Sequence, residues 1–472
     1  MGKLGYKGLL LLGGMMMLGE AAQAQYLRSS YFMEGTSARL QLNPGLQPTK
    51  GYFNMPIIGS FNMSASSNVL GTSDIIDLMD SGSDLYSNDK LFDRLKADNR
   101  LNVNLNTDIL SFGWYRGKGF WSVNVGLRAD FGAALAKDMF SMMRTMNGFA
   151  LEDVAGTNQS YSLSNQTLNM KAYAEIGLGY SRRITEKLTV GGRVKVLLGL
   201  ARAEMNINQF DLNLDVPNPQ YANYESRGEL SPSDWYGAHY DYSANGNVIT
   251  TLKGGGMTFD NNGMIDNFDL DAGDLGIAGS GFGIDLGASY KVWDNLTVSA
   301  SILDLGFLKW KESETTVATV SGEAHEMIDA SNYDRYIGGD FLSFERFDFE
   351  EGSPEKVKTK TRLYSTLLLA GEYGLLNNKL SVGAMYTARF AEPKTLNELT
   401  FLATFRPKNW LNAAISYSPI QASGKSIGLA VKLGPLFVGT DYMFFGGNSK
   451  SVNGFLGISF PLGGKAKPFS EL

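Results

Sequence analysis

The sequence predicts an all-β fold: a transmembrane antiparallel β-barrel of about 14 strands, with short periplasmic turns and long outer loops containing some helix. Three observations predict it. Apolar and polar residues alternate with period two in segment after segment, as in strands whose successive side chains point to opposite faces. The connections between these segments alternate between short and long. The chain also opens with an export signal.

The alternation is clearest from Thr361 to Phe460, which reads as seven short strands. In one of them Leu380, Val382, Ala384, Tyr386, Ala388 and Phe390 share a side, opposite Ser381, Gly383, Met385, Thr387 and Arg389. In another, Ile427, Leu429, Val431 and Leu433 oppose Ala430 and Lys432. A face this uniformly apolar must be covered by a second sheet or by lipid. Lipid is favoured, because the opposite face carries Glu372, Arg389, Lys432 and Asp441. The apolar face also ends in Tyr386, Phe390, Trp410, Tyr417, Tyr442 and Phe460, like interfacial girdles. Only a closed sheet can sit in a bilayer, since an open edge leaves backbone groups unpaired in hydrocarbon. The outer membrane is therefore the expected location, with lipid and lipopolysaccharide as neighbours.

Residues 1–24 read as a signal peptide. Lys3 and Lys7 precede an apolar core from Gly8 to Gly19, and Ala22-Gln23-Ala24 offers a small-x-small cleavage site. Its removal takes the net charge from −6 to −7, an acidic balance that argues against a nucleic-acid partner. Residues 25–50 read either as a plain lead-in or as a small plug in the barrel mouth. The barrel is expected over 51–460 and a periplasmic tail over 461–472.

Tyr52–Ser64 is the first strand, with Pro56 interrupting its alternation. A hairpin turns at Arg116–Gly119, and a phase shift before it calls for a bulge near Ile109. A second hairpin runs over Lys171–Leu198 and a third over Gly281–Leu305. With the seven C-terminal strands the total is 14, an even number that leaves both termini periplasmic. The turns at 116–119, 183–187, 291–295, 375–378, 406–409 and 434–435 are short. The connections 66–100, 133–168, 204–279 and 308–360 are long, the layout expected of bacterial barrels.

The inward positions hold Asp108, Arg128, Asp130, Glu175, Arg193, Lys195, Asp285, Asp304, Glu372, Arg389, Lys432 and Asp441. Charges of both signs there form either a bracing network or a substrate path. A turn centred on Thr185 sets Glu175 directly opposite Lys195. In the second long loop Leu135, Met139, Met142, Met143 and Met146 fall on one helical face, which either packs on its neighbours or captures an apolar ligand. The third long loop carries twelve acidic residues against Arg227 and Lys253. Within it Asp260, Asn262, Asp266 and Asp269 partly match the ligand positions of a calcium loop, although Thr258 replaces the first acid. The plainer reading is a solvated acidic loop beside lipopolysaccharide.

No cysteine is present, which excludes disulfides and a lipid-anchored N-terminal Cys. The two histidines, His239 and His325, lie in outer loops with no recognisable motif around either, too few for a His-rich metal site. A nucleophile with a histidine base is therefore not expected, and neither is an enzyme. Beyond the calcium candidate, no cofactor is expected.

Leu42-Asn43-Pro44-Gly45 is similar to the Asn-Pro-Ala-type segment that precedes the first strand in fourteen-stranded outer-membrane long-chain fatty-acid transporters. The chain also resembles a related family of Bacteroidota outer-membrane barrels, in which a Leu-Asn-Pro element is followed by a strand like Gly51–Ser64. The resemblance implies an N-terminal hatch in the barrel and outer loops that catch a hydrophobic substrate. It carries over no substrate-binding residues. Two functions follow as expectations: passive uptake of a hydrophobic or amphipathic small molecule, or a non-transporting scaffold or secretion-accessory barrel. The scaffold would bind a surface protein partner through its acidic outer loops.

Overall fold

The computed structural model describes residues 28–465 except 35, 72, 75–88, 147–155, 217–237, 262, 264, 272, 328–348, 393, 422–424 and 443–449. The expected signal peptide lies outside the described residues. The chain forms a closed antiparallel barrel of 14 strands. The first wall position is shared by β1 (Lys50–Asn54) and β2 (Phe61–Ser67), followed by β3 (Asp98–Arg116), β4 (Gly119–Ala136), β5 (Thr157–Arg183) and β6 (Leu188–Val216). Three strands then leave the wall: β7 (His239–Leu252), β8 (Gly255–Phe259) and β9 (Ile265–Leu270). The wall resumes with β10 (Gly279–Trp293), which pairs back onto β6, and β11 (Leu296–Trp310). After β12 (Thr315–Met327) and β13 (Glu350–Glu351), a further wall position is shared by β14 (Lys360–Arg362) and β15 (Thr366–Leu375).

The remaining strands are β16 (Leu380–Arg389), β17 (Leu396–Lys408), β18 (Leu411–Ile420), β19 (Ser426–Leu433), β20 (Leu436–Thr440) and β21 (Ser451–Lys465). Pairing of β21 with β1 and β2 closes the barrel, Phe53 facing Phe460 and Met63 facing Gly454. Closure explains why β21 runs past Phe460 to Lys465. The first residues of β1 need a partner, so 461–465 belong to the wall and not to a tail.

Period-two alternation sorts side chains as a bilayer demands. Glu175 is 1% exposed and its neighbour Ile176 44%. Leu178, Val194, Val196, Leu286, Ile415 and Val438 join Ile176 on the outer face. Tyr180, Tyr290, Trp293, Tyr386, Trp410 and Phe460 also face outward. The expected bulge is present: Asp108 pairs with Gly126 and Leu110 with Val125, so Ile109 is skipped. Pro56 and the left-handed Ile57 break the first wall position into β1 and β2.

Four expectations are corrected. The turn of the second hairpin centres one residue later than Thr185, so Glu175 pairs with Leu197 and Lys195 with Gly177. Glu175 and Lys195 thus meet diagonally. Strand β17 continues through Pro407 to Lys408 with a register shift, so Arg406 is a wall residue and not part of a turn. Tyr442 is buried and not in the lipid girdle, because β20 ends at Thr440 and the alternation ends with it. Finally, much of the second, third and fourth long connections is strand, and the helices among the described residues are short. The outer halves of β5 and β6 run past their last pairs with β4 and β10 and pair onward through β7 to β12. This outer sheet has its own apolar cluster, including Tyr161, Leu163, Phe210, Leu212, Leu214 and Tyr242.

Candidate functional site: the lumen and the segment seated in it

The described residues of 28–48, on the N-terminal side of β1, lie against inward-facing wall groups. Their anchors begin at Arg28, buried among Glu398 and Asp441. The backbone N–H groups of Arg28 and Ser29 donate to the two oxygens of Asp441 at 2.8 and 3.0 Å. Arg406 donates to the carbonyl of Phe32 at 2.9 Å, Arg193 to that of Leu40 at 3.0 Å, and Ser301 to that of Leu42 at 2.7 Å. The Gln41 amide donates to Asp108 at 2.8 Å and Tyr115 to the carbonyl of Pro48 at 2.5 Å. These bonds satisfy backbone groups that an irregular segment would otherwise bury unpaired.

The Asn-Pro-Gly turn has a fitted seat. Gly45 N–H donates to Asn43 Oδ1 at 2.8 Å, an Asx turn. Asn43 Nδ2 faces Tyr31 Oη at 3.0 Å and the carbonyls of Ala300 and Ala288 at 3.2 and 3.3 Å. Beneath it, Gly191 and Gly287 are cross-strand partners. A Cβ on Gly287 would overlap the Asn43 carboxamide, and one on Gly191 would overlap the Pro44 carbonyl. Both glycines are inward positions, so a side chain is missing where the turn enters. Burial pushes the Tyr31 hydroxyl pKa up, keeping it protonated beside Asn43 and Ser299.

Above this seat most of the predicted lumen charges converge. Lys195 is fully buried, with Nζ 2.6 Å from Asp304, 2.8 Å from Asp285 and 3.6 Å from Glu175. Arg128 pairs with Asp108 at 2.9 Å and Glu175 at 3.4 Å, and Arg193 with Asp285 at 3.5 Å. The other predicted charges stand apart. Asp130 pairs with Arg389 at 2.7 Å, and Glu372 with Arg406 at 2.9 Å. Asp441 holds Arg28, and Lys432 donates to the carbonyl of Asn409 at the periplasmic rim. Sequence reasoning missed Arg28, Glu398 and Arg406. Arg406 was hidden by the Pro407 that follows it.

The lumen also has an apolar part. Leu303, Leu368, Met385 and Leu402 of the wall pack against Tyr31, Phe32, Leu42 and Leu46 of the inner segment. The methionine stripe is elsewhere. The helix is Lys137–Met146, and Leu135 belongs to β4, because the strand extends to Ala136. Met142 is buried in the outer-sheet cluster with Met139 beside it, while the side chains of Met143 and Met146 lie outside the described residues. Asp260 and Asp269 fall on the β8–β9 hairpin. Gly263 N–H closes its turn on the Asp260 carbonyl, and Asp269 pairs with Gly256 further along. Asn262 and the side chain of Asp266 lie outside the described residues.

A closed 14-strand barrel with an apolar exterior and a charged, filled lumen defines an outer-membrane β-barrel protein. The chain belongs to a family of unknown function (DUF5723), whose model matches residues 44–441. No curated protein matches it. Among solved structures it is similar to the toluene transporter TodX of Pseudomonas putida, at 12% identity over 93% of this chain and 94% of that one, TM-score 0.36. It is also similar to the toluene transporter TbuX of Ralstonia pickettii, at 12% identity over 92% and 98%, TM-score 0.41.

Proposed function

We propose that the barrel takes up hydrophobic or amphipathic small molecules passively, and that the segment 28–48 is a hatch that yields to let them pass. The observation that carries this reading is the apolar patch of Leu303, Leu368, Met385 and Leu402 inside the lumen, covered by Tyr31, Phe32, Leu42 and Leu46. A wall built only to be closed can fill itself with its own bridged side chains, as Lys195 and its three carboxylates do. Here the wall instead leaves glycine gaps for a separate segment and keeps apolar surface beneath it. Displacing that segment opens an apolar surface that a hydrophobic solute can wet where water gains little.

The test locks the hatch. Ser29 Oγ lies 2.5 Å from Asp441 Oδ1, so paired Ser29→Cys and Asp441→Cys substitutions place two thiols within reach of a short reducible bis-thiosulfonate crosslinker in a chain that has no other cysteine. Uptake of a fluorescent apolar probe into proteoliposomes should fall on crosslinking and return on reduction, and deletion of 28–48 should raise it. Uptake indifferent to the lock rejects the hatch. No uptake by the native chain or by the deletion favours the scaffold function.

A further inference from the structure

The outer sheet joins two residues that the sequence keeps far apart. Pairing of β7 with β12 sets His325 opposite Asp241 and Met327 opposite His239. His239 and Asp241 are two apart on one strand, so they share a face with His325. These are the chain's only histidines. Their ring centroids are 5.5 Å apart. Each directs a nitrogen at the same carboxylate: His325 Nδ1 bonds Asp241 Oδ1, and His239 Nε2 lies 3.9 Å from Oδ2. The side chains of all three are partly exposed, at 27%, 45% and 60% for His239, Asp241 and His325, so an ion from solution can reach them.

The spacing is compatible with two imidazoles on one ion. With a zinc–nitrogen bond of about 2.1 Å, the centroid of a bound imidazole lies roughly 3.2 Å from the ion. At a tetrahedral angle, two such rings have centroids about 5.2 Å apart. The separation here is within a few tenths of an ångström of that value. Among the described residues no group of three His, Cys, Asp or Glu side chains is arranged to hold a metal ion as it stands, this cluster included. In this cluster the Asp241 carboxylate stands between the rings, bonded to His325. For an ion to enter between the rings, that carboxylate has to turn away from its bond to His325. On β6, Asp215 pairs in register with His239 and adds negative potential nearby.

We propose that His239, Asp241 and His325 bind a divalent transition-metal ion of the zinc class, with water completing a tetrahedron. Two imidazoles and one carboxylate suit zinc better than calcium, which takes six or more oxygens. The site is therefore distinct from the acidic β8–β9 hairpin. The ion would staple β12 to β7 at the outermost end of the sheet. On the opposite face, Tyr240 already donates to Glu326 at 2.8 Å across the same pair of strands.

The experiment uses the full folded chain without a polyhistidine tag, stripped with chelator and titrated with zinc chloride by calorimetry. One ion per chain is expected, and cobalt substitution should give the strong visible absorption of a tetrahedral centre. His325→Ala and His239→Ala should each weaken zinc binding about tenfold or more and abolish the cobalt band. Absence of binding, or equal binding by the double variant, overturns the proposal. Should a variant lose its heat-modifiable gel band, the native chain decides. Zinc must then shield both histidines from diethylpyrocarbonate, and unshielded histidines overturn the site.

Discussion

Replacing Gly287 with valine should unseat the inner segment while leaving the wall intact. Gly287 faces the lumen between the outward Leu286 and its partner Gly191. A Cβ there would overlap Asn43 Oδ1 and lie 2.9 Å from Pro44 Cδ, so the buried carboxamide must move. Asn43 then loses its bond from Gly45 N–H at 2.8 Å and its shared bonds to Tyr31, Ala300 and Ala288. The amide has two hydrogens for three acceptors, so about three bonds are at stake, each contributing roughly 0.5–1.5 kcal/mol net. Seating should weaken by about 2–4 kcal/mol, or roughly 30- to 1000-fold in the ratio of seated to unseated chain.

The readout is a cysteine at Ala38, which is 7% exposed and packs with Met33, Ala414 and Ala430. In an otherwise cysteine-free chain, its maleimide labelling reports the unseated fraction. Gly287→Val should speed labelling at least tenfold while the heat-modifiable gel band stays unchanged, since valine suits a strand. Unchanged labelling in a folded barrel would refute the idea that the Asn-Pro-Gly turn seats the segment. Gly191→Val, which meets the Pro44 carbonyl, provides a second and independent clash.

Other outcomes follow from the same geometry. Lys195→Met strips the cation from three buried carboxylates and should cost about 3–5 kcal/mol, read from the urea midpoint of refolding into vesicles. Val194→Arg, on the lipid face, should cost roughly 2–4 kcal/mol in the same assay, while Val194→Leu should be nearly silent. Met142→Gln should loosen the outer-sheet cluster by about 1.5–3 kcal/mol, making the outer connections protease-sensitive while the wall resists. If Met139, Met142, Met143 and Met146 together become Gln and the outer sheet stays resistant, reduced probe uptake would instead assign the stripe to ligand capture.

The wall was legible because the bilayer imposes one rule on every strand. Val194 and Arg193, or Ile176 and Glu175, declare their faces by polarity alone. Register was less legible, because one residue of turn placement moves every partner by two, as Glu175 and Lys195 show. The outer sheet was hard to see because it is wet on one face and studded with Asn, Ser and Gln. Its alternation of Phe210, Leu212 and Leu214 is correspondingly brief. The seat of the inner segment rests on contacts between Asn43 and residues 245 and 257 positions away, which no local pattern encodes. One signal was available: Gly191 and Gly287 are blanks in otherwise well-patterned strands, and a missing inward side chain marks a close approach. The histidine cluster was invisible for a similar reason, since it exists only through the pairing of β7 with β12.

Whether the inner segment leaves as one unit or frays from its end can be read from two of its fastenings. One is the Asn43 turn, and the other is Asp441, which receives the Arg28 and Ser29 N–H groups and faces the Arg28 guanidinium. Asp441→Asn keeps the shape and removes the charge, which weakens charge-assisted bonds by roughly half. Fraying of the N-terminal end alone would leave Ala38, ten residues further on, protected, because the Asn43 seat still holds the following turn. Release as a unit would expose Ala38 whichever fastening is weakened, and the free energies of two separated sites would add to within about 0.3–0.5 kcal/mol. Labelling of the Ala38 cysteine should therefore speed up in Asp441→Asn alone. In the double variant with Gly287→Val it should speed up by the product of the two factors. Polar fastenings lose much of their strength once water enters, because an exposed ion pair contributes only about 0–1 kcal/mol. Loosening one end wets the lumen and weakens the other, which favours release as a unit. If Asp441→Asn leaves Ala38 protected while Gly287→Val exposes it, the segment frays from its N-terminal end, and the turn on its glycine seat helps to hold the remainder.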